Sequence, residues 1–176
     1  MTVVVVYESM YGNTRRIAEA IGEGLAEAGA TAEVVSVEVA RERRIGPEDV
    51  LVVGAPTHVH GLSRASTREA AVHDAPTHGL ELDPSAAGES VRAWLATLGG
   101  EGGRAAAFDT RAKGPALLTG RASQVIAKAL RHHGFALVAA PESFLVSSAN
   151  QLLPDEQARA RQWGTDLAAT IRDTRP

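Results

Sequence analysis

Between positions 9 and 14 the chain carries Ser9, Met10, Tyr11, Gly12, Asn13 and Thr14, a short stretch that sets three hydroxyls around one glycine. Hydroxyl protons suit an anion, and glycine lets the backbone itself come close to a ligand. The flanking residues say what holds this loop. Val3 to Val6 is an apolar run without polar alternation, the pattern of a strand buried on both faces. Ile17, Ala18, Ile21, Leu25 and Ala28 then recur at helical spacing, and Gly29 supplies the stop. Strand, loop and helix are thus fused. The unpaired N–H groups of the helix's first turn and its dipole favour an anion in the loop, which we read as a phosphate cradle. The bland alternative is an ordinary β–α turn with an N-cap. A Gly-Lys-Ser/Thr close is missing and only Gly12 stands where G-x-G-x-x-G would be needed, so neither the Walker A nor the dinucleotide pattern fits.

His58 and His60 are a second constellation. A His-x-His pair at a strand end begins several kinds of metal site, but Gly61-Leu62-Ser63 does not continue the ligand spacing of the known pairs. Contact with a ligand of the first loop and a solvated loop are the other readings. Asp109 and Arg111 follow a strand, where they meet a ligand, pair with each other or cap the next helix. His132 and His133 precede Gly134 at a helix end, which reads as capping.

The elements that must position these residues alternate. Residues 32–37 and 50–54 read as strands two and three, 104–108 as strand four, and 135–146, interrupted at Pro141, as strand five. Residues 39–48 read as a short solvated crossover, and 65–72 as a short helix. Val91, Trp94, Leu95 and Leu98 give a helix with Trp94 in the core; Val125, Ile126, Ala129 and Leu130 give another. A last helix opens at Pro154-Asp155-Glu156 and points Ala160, Trp163, Leu167 and Ile171 inward. The glycine-rich stretch 99–103 is a turn. Such alternation predicts an α/β domain with a parallel doubly wound sheet, whose ligands bind beyond the carboxyl ends of the strands.

Composition bounds the rest. The 176 residues, 44% hydrophobic and 22% charged, fit a single domain over 1–176. The absence of cysteine rules out disulfides, thiolate ligands and cysteine nucleophiles, and suits the cytoplasm. A formal charge of −3 gives no case for nucleic acid or a membrane surface, and the valine run is too short for a membrane span or signal peptide. A receiver-type aspartate at the end of strand three and a G-x-S-x-G elbow are both missing.

The first loop resembles the flavodoxin signature. Val5-Val6-Tyr7, Ser9, Gly12, Thr14, Ala18 and Ile21 fill every specified position at the family's spacing, with Tyr11 where many flavodoxins carry Ser or Thr. The resemblance implies a flavodoxin-like three-layer sandwich, a five-stranded parallel sheet of order 2-1-3-4-5 with helices on both faces, and FMN as cofactor with its phosphate wrapped by residues 9–14. Pro56, Thr57, His58, Val59, His60 and Gly61 match the segment that packs beside the flavin ring. In the family a glycine-containing peptide there flips to present its carbonyl to the flavin N5, and Gly61 is the expected position. His58 stands where a Tyr or Trp is common. Asp109, Thr110 and Arg111 match the loop over the other ring face, though without its usual tyrosine, and Arg111 would stabilise negative charge on the reduced ring. Residues 62–89 would cover the flavin edge, with Arg64 or Arg68 meeting an anionic partner.

No catalytic side chain is assigned, because the isoalloxazine carries the redox chemistry. The resemblance implies an electron-transfer protein that serves a redox partner protein or a small-molecule electron acceptor or donor. Three classes compete: a one-electron shuttle; an FMN-dependent oxidoreductase like the flavodoxin-fold quinone reductases or the flavodoxin-like protoporphyrinogen oxidase; and a fold that has lost FMN and serves as a binding module. Most flavodoxins are more acidic than this chain, and that loosens the shuttle reading.

Overall fold

The computed structural model describes residues 1–58, 60–99 and 102–174. Val59 of the second loop, and Gly100 and Glu101 of the glycine turn, lie outside the described residues.

Four valines in β1 (Val3–Tyr7) and the run Val50-Leu51-Val52-Val53-Gly54 in β3 (Val50–Pro56) make strands without a wet face, and both lie inside the sheet. β2 (Ala32–Ser36) pairs with β1, and β1 with β3, all parallel. β4 (Gly103–Ala112) pairs with β3 and, on its other side, with β5 (Phe135–Leu137), giving the order 2-1-3-4-5. Helices α1 (Asn13–Glu27) and α7 (Glu156–Asp173) cover one face over a core of Ile17, Ile21, Leu25, Phe108, Phe144, Leu167 and Ile171. The other face carries α2 (Val37–Glu42), α4 (Val91–Leu95) and α6 (Ala122–His132), with Trp94 buried among Val53, Ile126 and Leu130. This is the three-layer α/β sandwich that the alternation and the flavodoxin resemblance predict.

Several details differ from the sequence expectation. The fifth lane of the sheet is divided: β5 (Phe135–Leu137) pairs with Gly103–Ala105 of β4, and β6 (Glu142–Val146) pairs farther along with Phe108–Ala112. Proline lacks the donor a ladder needs, so the lane breaks around Pro141. Arg121 bridges the break, donating to Pro141 O at 2.6 Å and Ser143 Oγ at 3.1 Å. β4 runs four residues past Phe108, so Asp109, Thr110 and Arg111 are strand residues and not a loop. Residues 39–48, expected as a plain crossover, begin inside α2, which buries Val37 and Ala40. Along the outer side of β6, Glu156 accepts the Leu145 N–H at 2.9 Å, the Leu153 N–H donates to Leu145 O at 3.0 Å, and Arg159 donates to Ser143 O at 2.5 Å. Among the described residues no helix is long and apolar enough to cross a membrane.

Candidate functional site

At the carboxyl end of β1 the chain enters its cradle. Gly12 is the N-cap of α1 and sits at φ 86, a left-handed conformation that strains any residue with a Cβ. Its N–H donates to Ser9 Oγ at 3.0 Å, which leaves the Ser9 proton free for a ligand. Thr14 Oγ1 lies 2.7 Å from Thr110 Oγ1, so the two hydroxyls share one proton and keep one to donate. The first-turn N–H groups of α1 have no acceptor within the helix. Arg15 is turned to Asp83 at 2.9 Å, and the Asp83 N–H holds Met10 O at 2.7 Å, so this cation braces the loop. Tyr11, expected to give a third hydroxyl, instead donates it to Ala71 O at 2.8 Å. Burial and the nearby Asp74 raise its pKa, and the phenol stays neutral. Tyr11 therefore docks α3 (Ala65–Asp74), the helix expected at 65–72, onto the cradle.

These groups line one cleft of about 490 Å³. Ser9, Met10, Tyr11, Asn13 and Thr14 line it from the first loop, and Pro56, Thr57, His58, Thr110 and Arg111 from the adjacent ends of β3 and β4, where the Thr57 N–H donates to Thr110 O at 2.8 Å. Burial lowers the pKa of His58, favouring a neutral imidazole. Residues outside the predicted site also line the cleft, among them Asn150, in the loop after β6, and Thr67 and Asp74 on α3. Asn13 Nδ2 donates to Asn150 O at 2.7 Å, tying loops 137 positions apart. Asn150 Nδ2 is itself buried without an acceptor, and so is Arg111 Nε, whose neighbouring nitrogen is held by Gly114 O at 2.9 Å. A bound group rich in acceptors, as FMN is with its phosphate, ribityl and pyrimidine oxygens, satisfies donors of this kind. The residues present fit it.

Three expected residues stand elsewhere. Asp109 is fully buried and faces α6, where its Oδ2 accepts the Ser123 N–H at 2.7 Å; of the readings for it, the structure takes the helix cap. Burial raises its pKa. His60 and Gly61 lie past His58 on an adjoining cavity. The His58 N–H donates to Gly61 O at 2.7 Å and the Gly61 N–H returns to His58 O at 3.0 Å, a tight turn whose left-handed residue is His60, at φ 72, and not Gly61. Among the described residues no group of three or more His, Cys, Asp or Glu side chains stands ready to hold a metal.

Behind the cradle a buried carboxylate joins the loops. Glu8 Oε1 accepts from Ser63 Oγ at 2.5 Å and Arg68 Nη1 at 2.6 Å, and Oε2 accepts the Val91 N–H at 2.8 Å. Arg68 also donates to Ala86 O and Gly88 O. Arg68, expected to meet an anionic partner, is thus committed inside the protein, and it fastens the segment 62–89 to the end of β1.

Comparison with known proteins bears on the family and the fold. The Flavodoxin family model matches residues 5–110, from β1 through most of β4. A putative diflavin flavoprotein A 4 of Synechocystis is 38% identical over 61 residues; the match covers 32% of this chain and only 10% of that protein's length. A flavodoxin from the domain Archaea superposes with a TM-score of 0.61 at 20% identity, over 98% of this chain and 99% of that one. Flavodoxin 2 of Bacillus cereus gives 0.63 at 17% identity, over 99% and 100%. At such identities the superpositions establish the fold alone. With the family model spanning more than half the chain, and a cleft whose unsatisfied donors suit the cofactor, this protein belongs to the flavodoxin family, an FMN-binding flavoprotein by fold and cofactor.

Proposed function

We propose that the cleft holds FMN, that the loop 9–14 would hold its phosphate and Thr57, His58, Thr110 and Arg111 would meet its ring, and that the chain passes electrons in the cytoplasm. FMN when bound supplies the redox chemistry; the protein supplies orientation, burial and hydrogen bonds. Ser9 and Thr14 donate to the phosphate with the first-turn N–H groups of α1. Asn150 Nδ2 donates beside them. Arg111 brings a fixed positive charge to its side of the cleft, favouring electrons on the cofactor. The observation that carries the reading is the pair of buried, unsatisfied donors, Asn150 Nδ2 and Arg111 Nε, in a cleft already lined by the cradle hydroxyls.

A redox partner protein is one recipient: Leu117 and Leu118, on the short helix α5 (Ala116–Thr119), are exposed close to Arg111, which contacts Thr119. The adjoining cavity at His58 favours a second reading, an FMN-dependent oxidoreductase acting on a small molecule. Incubation with FMN, removal of the excess, and anaerobic stepwise reduction followed by visible absorption separate the two. Two resolved one-electron steps are expected of the carrier; one two-electron step supports the enzyme. Failure to retain flavin overturns both and leaves a binding module.

A further inference from the structure

Past His58 lies the second cavity, about 410 Å³, which shares His58 and Thr67 with the FMN cleft. Its charge is one-sided. Arg64 and Arg92 line it, no acidic side chain does among the described residues, and neither arginine forms an ion pair there. Arg92 is held in place without being neutralised: its Nε donates to Ser63 O at 2.9 Å and one terminal nitrogen to Leu62 O at 2.8 Å. A guanidinium fixed by carbonyls loses little freedom when it meets an anion. Ser66 and Thr67 bring the first turn of α3 to the same cavity, and Arg64 is that helix's N-cap, so the dipole's positive end adds to the two cations. Leu62 and Val125 give the cavity an apolar side. His58, kept neutral by burial, adds no charge that neutral pH would remove.

We propose that this cavity binds a small organic anion, its carboxylate or phosphate group held by Arg64, Arg92 and the first turn of α3, and its apolar body laid against Leu62 and Val125. Its bearing on electron transfer rests on the FMN reading, since it would give the small molecule a charge class and a seat beside the flavin loop; the anion binding itself does not.

The test is calorimetric titration of FMN-saturated protein with benzoate, with neutral benzamide as the matched control. Benzoate is expected to bind, and benzamide to bind at least fivefold more weakly. Arg64→Gln, on an exposed side chain, is expected to weaken benzoate about fivefold, the scale of one exposed ion pair. Arg92→Gln should weaken it further, and Arg92→Lys should recover part of the loss. No benzoate binding, equal binding of benzamide, or unchanged affinity in both Arg64→Gln and Arg92→Gln overturns the site. FMN retention, read from the visible spectrum of the same samples, keeps the two readings apart. Lost flavin with Arg64-dependent benzoate binding removes the FMN reading and supports this site; retained flavin without benzoate binding does the reverse.

Discussion

Ser9 enters the cradle with its oxygen already accepting the Gly12 N–H, and Thr14 with its hydroxyl paired to that of Thr110, a pair that keeps one proton to donate. A hydrogen bond to a charged group is worth about 1.5–3 kcal/mol, so Ser9→Ala or Thr14→Ala should weaken FMN roughly ten- to a hundredfold, measured by quenching of flavin fluorescence. Unchanged affinity in both would take the phosphate out of this loop. Asp109 makes a different prediction. Its carboxyl is raised above its ordinary value, first of all by burial, so the folded state holds a proton that the unfolded chain releases near 3.8. The native state binds more protons across that window. The stability this group contributes is complete below the unfolded pKa and is lost as pH rises through the folded one. Asp109→Asn keeps an acceptor for Ser123 and removes the titration, so its Tm should gain on the wild type as pH increases; parallel Tm curves would refute this. The cradle hydroxyls were legible because the signature lies in one contiguous stretch. Asn150 was not, because its contact with Asn13 exists only once β6 delivers its loop to the same edge of the sheet.

Among the elements, one carboxylate, Glu8 just past β1, fastens α3 through its ion pair with Arg68 and α4 through the Val91 N–H. The Glu8 and Arg68 side chains are 2% and 12% exposed, so solvent screens them little. Arg68→Ala leaves a buried carboxylate without its counter-charge, a loss of about 3–5 kcal/mol. Chemical denaturation checks the magnitude, and a Glu8→Gln/Arg68→Met double variant should recover part of it; equal losses in the single and double variants would mean that packing, not charge, is at stake. Element positions followed from periodicity wherever one face is apolar, as in α1 and α7. The end of β4 did not, because Asp109, Thr110 and Arg111 look like a loop by composition. They stay in the ladder because β3 and β6 flank them, Ala55 and Pro56 on one side and Ser143 through Leu145 on the other. The division of the fifth lane was half legible: Pro141 marked the place, but not that both halves would pair with β4.

Across the whole molecule, the cradle helix is seated by glycines. A Cβ on Gly164 of α7 would come within 2.3 Å of Ile21 O, and one on Gly24 of α1 within 1.9 Å of Arg161 O, so α1 and α7 meet backbone to backbone. Gly164→Ala should destabilise the fold by about 1–3 kcal/mol through overpacking, seen as a lower midpoint in denaturant. An unchanged midpoint would show that the helices separate without strain. The parallel doubly wound sheet was legible from the alternation, since right-handed crossovers leave few topologies, and its strand order came with the flavodoxin resemblance. The helix–helix approach was not, because Gly24 and Gly164 read in sequence only as weak helix formers.

The outer side of β6 carries a further consequence. A bare edge strand offers unpaired amides and carbonyls as a template for aggregation. Here Glu156, Leu153 and Arg159 already occupy that row, and the break at Pro141 interrupts what would be a longer one. Fibril growth by strand addition therefore finds no free register on this border, so long as α7 keeps Glu156 and Arg159 docked.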